Sequence, residues 1–207
     1  MVPGADKRCI TCLLDCIRGD SILHTYSAAS AANRAENPLA GRATRFSADK
    51  SKSLQTPPSF LAVIDPVALQ VVSRIRLPDE CLAPHGLVID VQQREAFVAC
   101  VNSQNLVRVD LRTMRPFPGD PLPVAFNPDI VRLDHPLQLL FVGCAGGISI
   151  FDESGRGLKK LGSDYFLGGG SHHTIAIDET TQVIYLPQPS VGGRPILRVI
   201  KYVANGV

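Results

Sequence analysis

No stretch of about 18 apolar residues occurs in this 207-residue chain, so no membrane-spanning helix is expected. Neither sign of charge dominates: 21 Lys and Arg stand against 19 Asp and Glu, a net of +2. No segment is dense enough in either sign to mark a nucleic-acid or anionic-bilayer footprint, and neither is expected as a partner. The span from Cys9 to Ile17 is interrupted by Thr11, Asp15 and Cys16, which breaks the apolar stretch a secretory signal needs. No signal peptide is expected, and the sequence assigns no compartment. Six cysteines are too sparse for a disulfide scaffold, so reduced thiols are expected. A phosphate-cradling P-loop, a G-x-S-x-G elbow and a His-Glu-x-x-His pair are all missing. Gly168-Gly169-Gly170 precedes a strand pattern rather than a helix, so it lacks the helix N-terminus that binds phosphate and reads as a link.

What is present divides near Pro57-Pro58. Residues 1–57 carry eight Lys/Arg and five Asp/Glu, are rich in Ala and Ser, and show no sustained period. This segment is expected to be poorly ordered, with at most short helices near Leu13 to Ile17 and Ala28 to Arg34. Cys9, Cys12 and Cys16 within it form a C-x2-C-x3-C cluster. Three thiolates can bind zinc or an iron–sulfur centre, but both usually want four ligands, and the second pair is missing.

Residues 58–207 repeat themselves. Pro84-His85-Gly86-Leu87-Val88-Ile89-Asp90, Pro128-Asp129-Ile130-Val131-Arg132-Leu133-Asp134 and His172-His173-Thr174-Ile175-Ala176-Ile177-Asp178 align, and their aspartates fall at 90, 134 and 178. Seven residues after each comes an aromatic opening a second apolar run: Phe97, Phe141 and Tyr185. A third strand follows at Leu106 to Asp110, Ile148 to Asp152 and Ile196 to Tyr202, and an earlier copy reads Leu61 to Asp65. The run Gln70 to Leu77 alternates polar and apolar residues as a half-exposed outer strand does. Pro116 to Pro123 holds four prolines, which cannot donate to a ladder and suit an outer edge.

Units of about 40 to 45 residues with four short strands are the signature of propeller blades. The segments 84–113 (PHGLVID…REAFVACVNSQNLVRVDLRT), 127–152 (NPDIVRLD…LLFVGCAGGISIFD) and 61–78 (LAVIDPVALQVVSRIRLP) are similar to the YVTN family of β-propeller repeats, relatives in shape of WD40 proteins. The resemblance implies an all-β partial propeller with units near 59–80, 84–123, 127–167 and 171–207. The family's motif is structural, and its members include surface proteins, binding scaffolds and some enzyme domains. Strands number two in the first unit, four in each of the next two and three in the last, about three and a quarter blades where a ring usually needs about four. Either the chain belongs to a larger propeller or two copies close one ring through exposed blade edges.

Propeller geometry brings one face into view. Residues 85, 129 and 173 occupy one equivalent position, which places His85, Asp129 and His173 around a channel mouth, with Asn102, Asn105 and His172 close by in sequence. Imidazole and carboxylate are ligand types for zinc and related metals. The same residues also serve as turn caps at a water-filled mouth. Cys100 and Cys144 are read as small buried hydrophobes, and the repeated aspartates as Asx turns. A noncatalytic binding propeller, for a protein or small ligand and with no cofactor, is the expected function. The alternative is a metal-dependent hydrolase or lyase whose divalent ion sits on His85, Asp129 and His173.

Overall fold

A computed structural model of the chain describes residues 22–27, 58–119, 121–155, 157–162, 164–165 and 174–203. Every element in these residues is a β-strand, and the strands form four antiparallel sheets in chain order. The first sheet holds β1 (Ile22–Ser27), β2 (Ser59–Asp65) and β3 (Gln70–Arg76). β4 (Pro84–Asp90), β5 (Glu95–Cys100) and β6 (Asn105–Asp110) form the second, and both β7 (Arg115–Pro116) and β8 (Leu122–Pro123) pair with β6. The third runs β9 (Pro128–Asp134), β10 (Leu139–Cys144), β11 (Gly147–Asp152) and β12 (Lys159–Lys160). β13 (Ala176–Asp178), β14 (Val183–Val191) and β15 (Arg194–Lys201) complete the fourth.

β1 packs beside β4, β4 beside β9, and β9 beside β13. The sheets therefore succeed one another with their first strands innermost, which is the architecture of a partial β-propeller. No packing of that extent joins the fourth sheet to the first among the described residues.

Two expectations are corrected. The segment 1–57, expected to be poorly ordered with at most short helices, contributes a strand: Ile22–Ser27 pairs with β2 from Ile22↔Ile64 to Ser27↔Ser59 and supplies the first blade's inner strand. The signal was hidden because its connection to β2 runs from 28 to 58, where the next blade needs only 91 to 94. The proline-rich stretch forms two short strands on β6 rather than one. The helices anticipated near Leu13 and Ala28, and the glycine link at 168–170, lie outside the described residues.

Three apolar layers hold the blades together. Leu61, Ile75 and Leu77 meet Ala96, Val98 and Val109 between the first and second. Phe97, Ala99 and Leu106 meet Val131, Leu140, Val142 and Phe151 between the second and third. Phe141, Ile148 and Ile150 meet Ile175, Ile184 and Leu186 between the third and fourth. Alternation along each strand sends successive side chains into successive layers, and each buried Leu, Ile or Phe is worth about 1.5–3 kcal/mol.

The repeated aspartates close the strands as the sequence indicates. Asp90 Oδ1 accepts the N–H groups of Gln92 (2.7 Å) and Gln93 (2.9 Å). Asp65 does the same for Val67 and Ala68, and Asp178 for Thr180 and Thr181. These backbone N–H groups hold the Asp65 carboxyl below its ordinary range. Four residues after the aspartate the chain turns left-handed, at Leu69 (φ 53°), Arg94 (55°), Met114 (58°), Gln138 (51°) and Gln182 (59°). A non-glycine residue pays a steric penalty there. Leu69 is exposed, so Leu69→Gly is expected to raise stability by about 1 kcal/mol. A urea midpoint that stays put or falls would contradict this account of the turn.

Candidate functional site

The residues at the equivalent position of the second and third blades, His85 and Asp129, lie in contact. His85 opens β4 and Asp129 opens β9, and His85 Nδ1 lies 2.6 Å from Asp129 Oδ1. That hydrogen bond raises the His85 pKa, with burial opposing it. The imidazolium form is favoured, and whatever the pair adds to stability is lost as pH rises through the raised value. Gly86 makes the approach feasible: a Cβ on it would sit 1.9 Å from the Asp129 carbonyl oxygen.

The other candidates divide. Asn105 is buried and engaged, its Nδ2 donating to Glu80 O (3.0 Å) and its Oδ1 accepting from Ser103 Oγ (3.2 Å). Asn102 is exposed, and its backbone N–H donates to Leu82 O. His173, His172, Cys9, Cys12 and Cys16 lie outside the described residues. Among the described residues no three His, Cys, Asp or Glu side chains are grouped as metal ligands.

Cysteine chemistry requires a correction. Cys100 is not a free thiol but is bonded to Cys81, with 5.2 Å between their Cα atoms. The repeat matches Cys100 with Cys144, and the residue matching Cys81 is Ala125, so the pairing leaves no trace in the periodicity. Cys144 is free and buried, as expected of a small hydrophobe. Burial, then the charge of Asp164, pushes its thiol up to about 12.

Sequence reasoning missed a groove between the second and third blades, at the end of the strands opposite His85. It encloses about 460 Å³ and is lined by Gln93, Glu95, Phe97, Arg108, Glu153 and Leu158 among others. A smaller recess of about 170 Å³, reached past Asp90 and His135, shares Gln93, Glu153 and Gly155 with it. Arg108 lies with Nη1 3.8 Å from Glu95 Oε2 and its guanidinium carbon 4.4 Å from the centre of the Phe117 ring. Burial raises the Glu95 pKa, and Arg108 opposes the shift.

Glu153 is the unusual member. It is 7% exposed, and its Oε2 has no hydrogen-bond partner. Burial first, then the charge of Asp90, pushes its carboxyl up to about 7. Because that value exceeds the ordinary 4.5, ionisation costs stability from the ordinary value upward, fully so once pH passes about 7.

The repeat shows how deliberate the polarity is. Glu153 N–H donates to Gln138 O (3.0 Å) as Leu111 N–H donates to Arg94 O (2.9 Å), so the two positions are equivalent. Phe97 pairs with Arg108 across β5 and β6 where Phe141 pairs with Ile150 across β10 and β11. Glu95 likewise matches Leu139, since each opens its strand opposite an aspartate. Glu95, Arg108 and Glu153 thus occupy positions filled elsewhere in the repeat by Leu139, Ile150 and Leu111, all packed on apolar layers.

No family model and no curated protein matches the chain. Among solved structures it is similar to hydrazine synthase from Kuenenia stuttgartiensis, at 15% identity and a TM-score of 0.51, covering 76% of this chain and 53% of that one. It is also similar to a functionally unknown protein from Desulfotomaculum acetoxidans DSM 771, at 14% identity and a TM-score of 0.51, covering 63% and 42%. Likeness at these identities shows the fold alone: a partial β-propeller that spans about half the length of the solved chains it matches.

Proposed function

We propose that the chain is a noncatalytic binding propeller of the YVTN-like repeat type, and that its ligand seat is the groove between the second and third blades. The observation that carries this is the Glu153 carboxylate, buried with one oxygen unsatisfied at a position the preceding blade fills with Leu111. A buried polar atom without a partner costs roughly 1–3 kcal/mol, a cost that apolar packing would remove and that a bound ligand offsets. Glu95, Arg108 and Glu153 converge on the cleft beside Phe97 and Leu158, and convergent polar groups of this kind fix the orientation of a small ligand. The Cys81–Cys100 bond fits a chain that matures in an oxidising compartment. The exposed side chains Leu197 and Val199 on β15 are the edge through which self-association would run.

A second reading concerns the mouth. An imidazole whose Nδ1 is held by a carboxylate is the arrangement of a proton acceptor or an oriented metal ligand, so the His85–Asp129 pair is what a hydrolase or lyase would use, with His173 as the further ligand. Ligand-observed NMR with a mixed small-molecule library separates the two readings. Binding is expected to weaken at least tenfold in Glu153→Leu, which installs the side chain of the preceding blade and should stay folded, and to persist in His85→Ala. Stoichiometric metal that disappears with His85→Ala, alongside binding indifferent to Glu153→Leu, would favour the mouth instead.

A further inference from the structure

The groove's charge and shape limit what can occupy it. The carboxylates of Asp90 and Glu95 on the second blade and of Asp152 on the third raise the potential cost of ionising Glu153, and His135 opposes them. His135 is itself engaged by Glu179, with Nδ1 3.1 Å from Oε2. Arg108, the cation among the described residues that line the groove, lies beside Glu95 and over Phe117. Among the described residues, Glu153 Oε2 therefore remains an acceptor with no donor. An anion entering here would meet carboxylates from both blades. A metal ion would want three or more ligating groups, and no such group occurs among the described residues.

We infer, on the basis of the groove reading above, that its ligand is a small organic cation bearing an ammonium or guanidinium group, whose N–H donors dock on the Glu153 carboxylate. Such a group carries donors in the number and geometry a carboxylate accepts, and charge-assisted bonds of this kind are stronger than neutral ones. The rest of the ligand is short, because the volume is about 460 Å³, and it is mixed in character, because Phe97 and Leu158 share the lining with Gln93, Glu95 and Arg108. Affinity follows the ionisation of Glu153: the carboxylate form binds, so affinity rises as pH passes through about 7.

The test is a titration of the whole chain, followed by NMR, with n-butylammonium, methylguanidinium, butyrate and butanol at pH 5.5 and pH 8. The two cations are expected to bind at least tenfold more tightly at pH 8, to lose at least tenfold in Glu153→Gln, and to bind His85→Ala as they bind wild type. Cation binding indifferent to Glu153→Gln would overturn the inference. If butyrate or butanol bound in a Glu153-dependent manner instead, the ligand class would be wrong while the groove reading stood. If no probe and no library member perturbed the groove, both would fall. A capped lysyl peptide distinguishes the source of the cation: tighter binding than n-butylammonium would overturn the assignment to a free small molecule.

Discussion

Gly86→Ala is expected to destabilise the fold by at least about 3 kcal/mol, beyond what ordinary overpacking costs. The added Cβ would stand 1.9 Å from Asp129 O, 2.9 Å from Asp129 C and 3.3 Å from Ile130 Cα. All three atoms are backbone, so no side chain can swing aside, and relief requires the inner strands of the second and third blades to separate. Those strands also carry the His85–Asp129 contact and border the layer formed by Val88, Val131 and Leu133. The loss therefore spreads from one methyl group to a whole inter-blade interface. Gly157→Ala is the control, since a Cβ there meets nothing within 4 Å. Equal urea midpoints for Gly86→Ala and wild type would mean that the blades are not packed at this distance.

Periodicity made most of this fold legible. Aspartates at 90, 134 and 178 end inner strands because each carboxylate caps the turn that follows, and in the second and third blades the aromatic seven residues later is a core side chain of the second strand, whereas Tyr185 in the fourth is half-buried between the buried Ile184 and Leu186. Phe97 and Phe141 are accordingly among the largest fully buried residues. What the pattern could not convey was anything placed against it. The first inner strand lies in sequence without regular hydrophobic spacing, and its identity depends on the backbone ladder it makes with Phe60 to Ile64.

The candidate site was legible only where it followed the repeat. His85 and Asp129 occupy equivalent positions on neighbouring inner strands, so their meeting could be anticipated from alignment alone. Glu153 follows Asp152 at the end of a strand, where a polar residue is the default, so its place in the sequence does not mark it. Its significance emerges only when it is set beside Leu111, which makes the same backbone hydrogen bond and packs on the core. A substitution of Leu by Glu between equivalent positions is thus a sequence-level signal, but one that requires the strand ends to be registered first. Glu95 against Leu139 and Arg108 against Ile150 carry the same message, and only the strand pairing aligns them.

Removing the Cys81–Cys100 bond is expected to cost about 3 kcal/mol, the loop-closure value for a ring of roughly this length. The bond spans a sequence separation of 19 and fastens the connection between the first two blades to the end of β5. Around it, Leu82 N–H donates to Ser103 Oγ (3.0 Å), Val101 N–H to Ala83 O (3.0 Å) and Asn102 N–H to Leu82 O (3.1 Å). This short stretch must enter β4 with Ala83 at a positive φ of 55°, so its conformation depends on being held from outside. Cys81 also belongs to the apolar layer between those blades, and freeing it loosens packing as well as the connection. Reductant should therefore lower the wild-type urea midpoint to that of the Cys81→Ser, Cys100→Ser double variant, whose own midpoint should be indifferent to reductant. Cys144→Ser should leave the response to reductant unchanged, because that thiol is unbonded. Alkylation of both Cys81 and Cys100 in the unreduced protein would show that the staple does not form, and the second blade would then owe its entry geometry to the hydrogen bonds alone.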